Sequence, residues 1–437
     1  MIGELPTKAI ASVPDLAPFR GLRYTRGPDL SGVAAPPYDV IDPDDQVALE
    51  RADEQNAVRL ILPRGTDAAD PYETAAATLA SWRADGVVRP DPQPALYPYR
   101  MIAPRIDGSA HTTVGVIGAL ALPGDGDDAA TGGVLPHERT LPKARSDRLA
   151  LLRATRANLD PIWVLSLAVG LTELVEPFDV AESAVDAQGV RHELGIIDDP
   201  ERISTLRALL VDHDAVLADG HHRFETACNY RKEVAAGRLG RPGGGDRGRK
   251  VSRGGGGTTG TDAIMCLVVE LDDAQLDVRP FHRIIERPPS DLRERLSSTF
   301  AVRDAGPLTP DTIAAVLDEM AATGAMGLAD TDGVAVLDAK VDALDDALAG
   351  TPRCLHEVDA ARFDAAVRPH LGDAPLRYRA DSRAVELLGD GEAAVLLRGV
   401  EVGQIRAAAD ERVLMPEKTT YFAPKPRTGM VMRCLDD

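Results

Sequence analysis

The run Ala215-Val216-Leu217-Ala218-Asp219-Gly220-His221-His222-Arg223-Phe224-Glu225-Thr226-Ala227 sets the reading of this chain. Its small apolar residues make a short buried strand, Asp219-Gly220 turns the backbone, and a helix is predicted from about His221 to Ala235. A strand feeding a helix through a glycine turn also gathers the helix's N–H groups and its positive end at one point, where an anion can sit. Arg223 in the first helical turn is unfavourable to the dipole by itself. It makes sense beside a phosphate, which a guanidinium can hold through two hydrogen bonds. His221 and His222 add donors that titrate near neutral pH. The alternative is that Asp219 only caps the helix while the histidines are solvated. Zinc held by His221 and Glu225 lacks a third ligand.

Working outward, Ile162 to Leu167 reads as a strand, and Glu201 to His213 as a helix with Ile203, Leu206 and Leu210 on one face. Ala95–Ala103 and Thr112–Leu122 are strands, the second long enough to be central. Arg59-Leu60-Ile61-Leu62 reads as a short strand stopped by Pro63. Helices are predicted from Pro71 to Arg83 and from beyond Pro142 to Thr155. The second of these turns Leu149 and Leu152 inward and leaves Arg145, Arg148 and Arg153 to solvent or ligand. Ile264–Leu271 and Val278–Ile285 are strands. Beyond Pro288, helices at Ser290–Phe300, Pro310–Ala322 and Asp359–Leu371 alternate with strands near Val334–Leu337, Leu376–Arg379 and Ala394–Leu397. The fold class is mixed α/β, with an N-terminal α/β region and a C-terminal α+β lobe. The expected domains are 1–200, 201–287, 288–410 and a tail, 411–437, that returns to the site.

Composition limits the function. The chain has 437 residues with 49 basic against 69 acidic side chains, a formal charge of −20. Such a length predicts two or three domains. The acidic balance excludes a non-specific nucleic-acid coat, which needs a basic surface, yet leaves room for a small basic pocket. Met1 to Ala11 has no basic segment leading into an apolar run, no membrane-spanning stretch is evident, and the four cysteines are widely spaced. A reducing, cytosolic setting is the expectation. Gly237 to Gly260 holds eleven glycines in twenty-four residues, so it reads as a flexible insertion; it lacks the Lys-Ser/Thr of a phosphate loop. Gly124 to Asp128 lacks the spaced ligands of a calcium loop.

Three further clusters bear chemistry. His137-Glu138-Arg139-Thr140, followed by Lys143, Arg145, Asp147 and Arg148, could supply a carboxylate base with a charged partner. In Ala35-Pro36-Pro37-Tyr38-Asp39 the prolines give a rigid presentation of Tyr38 and Asp39, or simply a structural turn. Phe281-His282-Arg283 faces either a ligand or the core. The proline-punctuated tail from Met415 to Pro426 cannot be a regular helix, and its polar groups suit contact better than burial.

Taken together these segments resemble the bacterial and archaeal domain-of-unknown-function family 1015. The resemblance runs from about Phe19 to the C-terminus. It is carried by Phe19–Tyr24, Ala35–Ile41, Asn56–Leu60, His137–Thr140, Ala157–Ile162, Ala218–Ala227, Phe281–Arg283 and Met415–Pro426. The Asp-Gly-His-His-Arg turn is similar to the phosphate-binding turn of the ParB and sulfiredoxin superfamily, whose relatives include an ADP-dependent free serine kinase. The resemblance implies a ParB/sulfiredoxin-like core in which Gly220, His221, His222 and Arg223 cradle a phosphate and Asp219 orients the turn or a Mg2+ ion. Sulfiredoxin chemistry requires a cysteine where this chain has histidine, and a partition-protein role requires a basic helix-turn-helix that this sequence lacks.

The expected activity is a nucleotide-dependent phosphotransferase, using ADP or ATP on free serine or a similar small hydroxyl metabolite. In this reading Glu138, or else Asp39, accepts the hydroxyl proton, and His222 takes part in catalysis. His137 joins the phosphate-binding groups, and Lys418 and Tyr421 close the site. The alternatives are a regulatory protein that binds nucleotide without chemistry, and a metabolite phosphatase using the His221–His222 pair. Neither nucleic acid nor membrane is an expected partner.

Overall fold

In the computed structural model, which describes residues 15–65, 69–105, 108–123, 133–138, 145–211, 213–237, 260–380, 388–389 and 391–436, chain contacts separate two units. The first comprises Met1–Pro136, Thr140–Gln275 and Pro424–Asp437; the second comprises His137–Arg139 and Leu276–Ala423. The Gly124–Asp128 loop, Arg139, Thr140, Lys143 and residues 238–259 of the glycine-rich stretch lie outside the described residues.

The first unit is built on a nine-stranded sheet: β1 (Leu16–Ala17), β2 (Tyr97–Pro104), β3 (Ala110–Ala121), β4 (Val134–Pro136), β5 (Ile162–Ser166), β6 (Glu182–Val185), β7 (Arg191–Leu194), β8 (Ala215–Asp219) and β9 (Ala263–Glu270). The order is β4-β8-β5-β9-β3-β2-β7-β6, with β1 added on β3. Pairs β4/β8 and β5/β9 are parallel and the others antiparallel. Register aligns Val116, Val268 and Val164 across three neighbouring strands. Such β-branched residues suit a pleated, buried surface. At Gly115 on β3 a Cβ would stand 2.4 Å from the Val268 carbonyl oxygen, so only glycine permits this approach.

Helices follow local signals. α1 (Pro43–Ala52) begins with an Asp42/Asp45 capping box, and α2 (Pro71–Ala84) with Asp70 accepting from the Tyr72 and Glu73 N–H groups at 2.8 Å. α3 (Arg145–Thr155), α4 (Pro200–Val211) and α5 (His221–Ala235) complete this set. Leu206 and Leu210 of α4, with Phe224 and Ala227 of α5, join Val116, Val164 and Val268 in one apolar cluster. Each large side chain buried in this way contributes about 1.5–3 kcal/mol.

The second unit holds a six-stranded antiparallel sheet: β10 (His282–Ile285), β11 (Phe300–Gly306), β12 (Met326–Asp330), β13 (Gly333–Ala339), β14 (Leu376–Arg379) and β15 (Ala393–Leu396), in the order β11-β13-β12-β15-β10-β14. α6 (Pro310–Thr323) packs Ile313, Val316 and Met320 against Val336 and Leu396.

The expected fold class, mixed α/β, is what the structure shows. Several elements differ in detail. Arg59–Leu62 is not a strand: Val58–Ile61 is one helical turn, with Asn56 Oδ1 accepting the Val58 N–H at 2.9 Å. A four-residue apolar run does not distinguish the two by periodicity, and the bond from the Val58 N–H to the Asn56 side chain favours the turn. The Val278–Ile285 strand breaks at Pro280 into Asp277–Arg279 and β10. The helix expected over Ser290–Phe300 is only Leu292–Leu296. That over Asp359–Leu371 is a succession of short α, π and 3-10 turns ending at His370, with Pro369 inside the last of them. Among the described residues no helix is long and apolar enough to cross a membrane.

Candidate functional site

β8 ends at Asp219, and Gly220 makes the turn into α5 with φ +92°. A Cβ there would lie 2.7 Å from Ile162 Cγ2 on β5, so conformation and contact both call for glycine. The helix opens without a side-chain cap; its first internal hydrogen bond runs from Phe224 N–H to Gly220 O at 2.9 Å. Phe224, Ala227, Tyr230 and Val234 form its buried stripe, which places His221 and His222 half-exposed at its start.

Arg223 folds back from this start toward the strands. Its Nη1 donates to Asp160 and, at 2.8 Å, to Pro161 O; its Nη2 donates to Asp219 Oδ2 at 2.8 Å. Lys425, from the C-terminal segment, pairs with Asp219 Oδ1 and stands 3.5 Å from Asp39 Oδ2. Asp39, Asp160 and Asp219 therefore converge on two cations. Burial alone would raise the Asp219 pKa, but Lys425 and Arg223 outweigh it and hold this carboxyl well below the ordinary range. At Asp160 burial prevails over Arg223 and Arg148, and its pKa is raised. The Arg223 guanidinium loses hydration yet is held more firmly charged by Asp160 and Asp219. Its Nε is buried without a hydrogen-bond partner.

A second layer supports Asp39. The Ala35 and Thr428 backbones exchange hydrogen bonds at 3.0 and 2.8 Å, fixing the double-proline segment. The Tyr38 ring lies under the Arg148 guanidinium at 4.2 Å. Burial raises the Tyr38 pKa against the effect of Arg223. Arg148, expected to face solvent or ligand, is buried. Its Nη1 donates to Ile61 O at 2.8 Å and its Nε to Asp147 Oδ2 at 2.6 Å, while Tyr72 holds the other Asp147 oxygen at 2.7 Å.

The remaining sequence-derived candidates lie in the second unit. Glu138 Oε1 accepts from Thr419 N–H (3.1 Å), Thr420 N–H (2.6 Å) and Thr420 Oγ1 (2.7 Å). Because the Thr420 hydroxyl donates to Glu138, its oxygen accepts from His137 Nε2, 2.7 Å away. Arg283 gathers the Phe281, Lys418 and Glu417 carbonyls at 2.7, 2.9 and 3.2 Å. Lys418 Nζ sits 5.0 Å from the Phe281 ring centre, and Tyr421 meets that ring edge-on at 5.6 Å. His137, Glu138, Lys418 and Tyr421 thus hold the 415–423 segment in place.

The structure brings Asp39, Asp219, Gly220 and Arg223 together. Asp160 and Lys425 belong with them: the sequence marks Lys425 only as a basic residue of a candidate anion-site segment, and it gives Asp160 no role. Asp160 lies inside the Ala157–Ile162 stretch that carries the family resemblance. Lys425 lies within the tail already marked as suited to contact, and the flanking Pro424 and Pro426 were a signal of rigid presentation. Among the described residues no group of three or more His, Cys, Asp or Glu side chains is arranged to hold a metal.

No curated protein matches the sequence. Among solved structures, a free serine kinase in complex with AMP has a TM-score of 0.31 at 11% identity, covering 68% of this chain and 89% of that one. A mutant free serine kinase in complex with ADP has a TM-score of 0.33 at 9% identity, with the same 68% and 89% coverage. C-terminally truncated SbnI from Staphylococcus aureus has a TM-score of 0.36 at 11% identity, covering 71% of this chain and 85% of its own. The family model described as "Protein of unknown function (DUF1015)" matches residues 16–356, more than half of the chain, and the chain belongs to that family.

Proposed function

We propose that this protein is a nucleotide-dependent phosphotransferase acting on a small hydroxyl metabolite such as free serine, with the nucleotide phosphates held at the start of α5 as in a ParB/sulfiredoxin-like turn. The observation that carries the reading is the strand-to-helix corner: an α5 N-terminus opening on left-handed Gly220, with Lys425 and Arg223 both on Asp219. Backbone N–H groups of the first helical turn and the helix dipole favour a phosphate there.

Arg223 serves this corner by bracing it, since its two terminal nitrogens already bind Asp160 and Asp219. Lys425 is the cation placed to meet a phosphate. Its contact with Asp39, at 3.5 Å, is looser than that with Asp219. A Lys425 that turns to phosphate releases Asp39, whose exposed carboxylate then accepts the proton of the substrate hydroxyl. Glu138 is less suited to that task, because three donors already occupy one of its oxygens. Asp219 is a hard oxygen donor that, together with phosphate oxygens, would hold a magnesium ion, which leaves Asp39 to act as the base. His221 and His222 stand at the helix start as further donors.

Calorimetric titration with ADP, ATP and CTP tests the reading. Wild type binds one of them, and Lys425→Ala weakens binding by about tenfold or more, the loss of one charge-assisted contact. No binding by wild type, or equal binding by Lys425→Ala, defeats it. Binding without phosphoryl transfer to any hydroxyl metabolite favours the regulatory alternative, a reading that the pairing of both terminal Arg223 nitrogens with carboxylates also supports.

A further inference from the structure

Tyr99 on β2 and His192 on β7 are buried side chains of neighbouring antiparallel strands, 1% and 0% exposed. Tyr99 Oη lies 3.0 Å from His192 Nδ1, and His192 Nε2 lies 3.3 Å from Asp186 Oδ2. The Arg427 backbone N–H donates to Tyr99 Oη at 3.0 Å. Asp186 Oδ1 is fixed by the Gln188 and Val190 N–H groups, both at 2.9 Å.

The proton order follows from these partners. Burial raises the Asp186 pKa, but His192 and the Val190 N–H outweigh it, so the group is an acceptor. Burial keeps His192 neutral. Nε2 therefore carries the hydrogen toward Asp186, Nδ1 is left as acceptor, and the Tyr99 hydroxyl donates to it. The Tyr99 oxygen then turns its lone pairs to Arg427 N–H. Every polar atom along the path has its partner, and the path ends on the backbone of the C-terminal segment.

Lys425 is two residues before that end. Pro424 and Pro426 flank it, and Pro426 restricts Lys425 itself to extended conformations. A constraint on the Arg427 backbone therefore reaches Lys425 with little loss. The same segment is tied to the other side of the corner: Arg427 Nη2 donates to Ala34 O at 3.2 Å, and Thr428 pairs with Ala35, four residues before Asp39.

We propose that Asp186, His192 and Tyr99 are positioning residues, a buried relay that fixes the Arg427 backbone and so holds Lys425 between Asp219 and Asp39. This deepens the phosphotransfer reading and rests on it for what Lys425 meets, but the placing of Lys425 can be measured without any nucleotide.

The experiment is pulsed acylation of the full chain with an amine-reactive ester, following Lys425 by mass spectrometry against exposed Lys340 as reference. Tyr99→Phe keeps the ring and removes the acceptor of Arg427 N–H. The expected result is a rise in relative Lys425 labelling of about tenfold, the order of effect of leaving one buried donor unsatisfied. His192→Ala raises it likewise. His192→Asn, whose amide oxygen can replace Nδ1 as acceptor for Tyr99, brings labelling back toward wild type, a rescue that general core loosening does not produce. Unchanged labelling in folded Tyr99→Phe overturns the relay. Should that variant fail to fold, equal labelling of His192→Asn and His192→Ala overturns it instead. A relay that passes these tests in a protein that binds no ADP, ATP or CTP survives the failure of the nucleotide reading. Nucleotide binding with labelling indifferent to Tyr99→Phe sinks the relay alone.

Discussion

Glu182 gives one carboxylate oxygen to Arg23 Nη1 at 2.6 Å and buries the other without a hydrogen-bond partner. Burial raises its pKa from 4.5 to about 7, more than neighbouring Arg23 offsets. The folded chain therefore holds this proton where the unfolded chain has released it, and stability falls as pH rises through that window. Glu182→Gln stays neutral and removes this part of the slope, which is on the order of 1–3 kcal/mol. Denaturant unfolding of both proteins at about pH 5 and about pH 8 reads the difference; equal pH dependences would count against it. Asp219 has the opposite sign. Its depressed pKa contributes stability above the ordinary carboxylate range that disappears as pH falls through the lower, folded value. Asp219→Asn should therefore be less stable than wild type at neutral pH and converge with it in acid.

The α5 corner is where residue chemistry becomes an element. Gly220→Ala places a Cβ in the left-handed region, costing roughly 1–2 kcal/mol. It also drives that atom to 2.7 Å from Ile162 Cγ2, where relief by displacing β5 costs roughly 1–3 kcal/mol. The combined expectation is a loss of about 2–5 kcal/mol in urea unfolding; a loss below about 0.5 kcal/mol means that the turn tolerates a side chain. This corner was legible beforehand, helix bounds included, because the β8 strand, Asp219-Gly220 and the spacing of Phe224, Ala227, Tyr230 and Val234 all agree. Val58–Ile61 was not, since its helical turn depends on Asn56 and on tertiary burial rather than on periodicity. The turns between Asp359 and His370 escaped for a related reason: the apolar spacing was helical, while Pro369 and the changing hydrogen-bond pattern broke it.

At the scale of the molecule, the limits of sequence reading lie in long-range pairing. Nothing in local spacing relates Lys425 to Asp219, 206 residues earlier, or to Asp39, 386 residues earlier. The tail's unusual composition marked it for contact without naming its partners. The partners of residues 424–436 lie throughout the first unit. Arg433 is buried, with Nη1 donating to Asn158 Oδ1 and Ala263 O at 3.1 and 2.9 Å and Nη2 to Gly260 O at 2.9 Å. Met432 exchanges backbone hydrogen bonds with Leu22, and Arg433–Cys434 pairs with Ala157–Asn158. Leu435 closes an apolar cluster with Leu152, Tyr230 and Val234. A chain ending at Ala423 loses all of these and leaves buried carbonyls without their donor. Truncating several buried apolar side chains at about 2–5 kcal/mol each rivals the whole stability of a typical domain. The first unit of that truncated chain should lose slow hydrogen exchange in β3 and β9, although neither strand is covalently altered. β12 and β13, whose cluster with α6 uses none of the removed residues, should retain it. Native-like protection of β3 and β9 in the truncated chain would show that the tail is held by the first unit without holding it together.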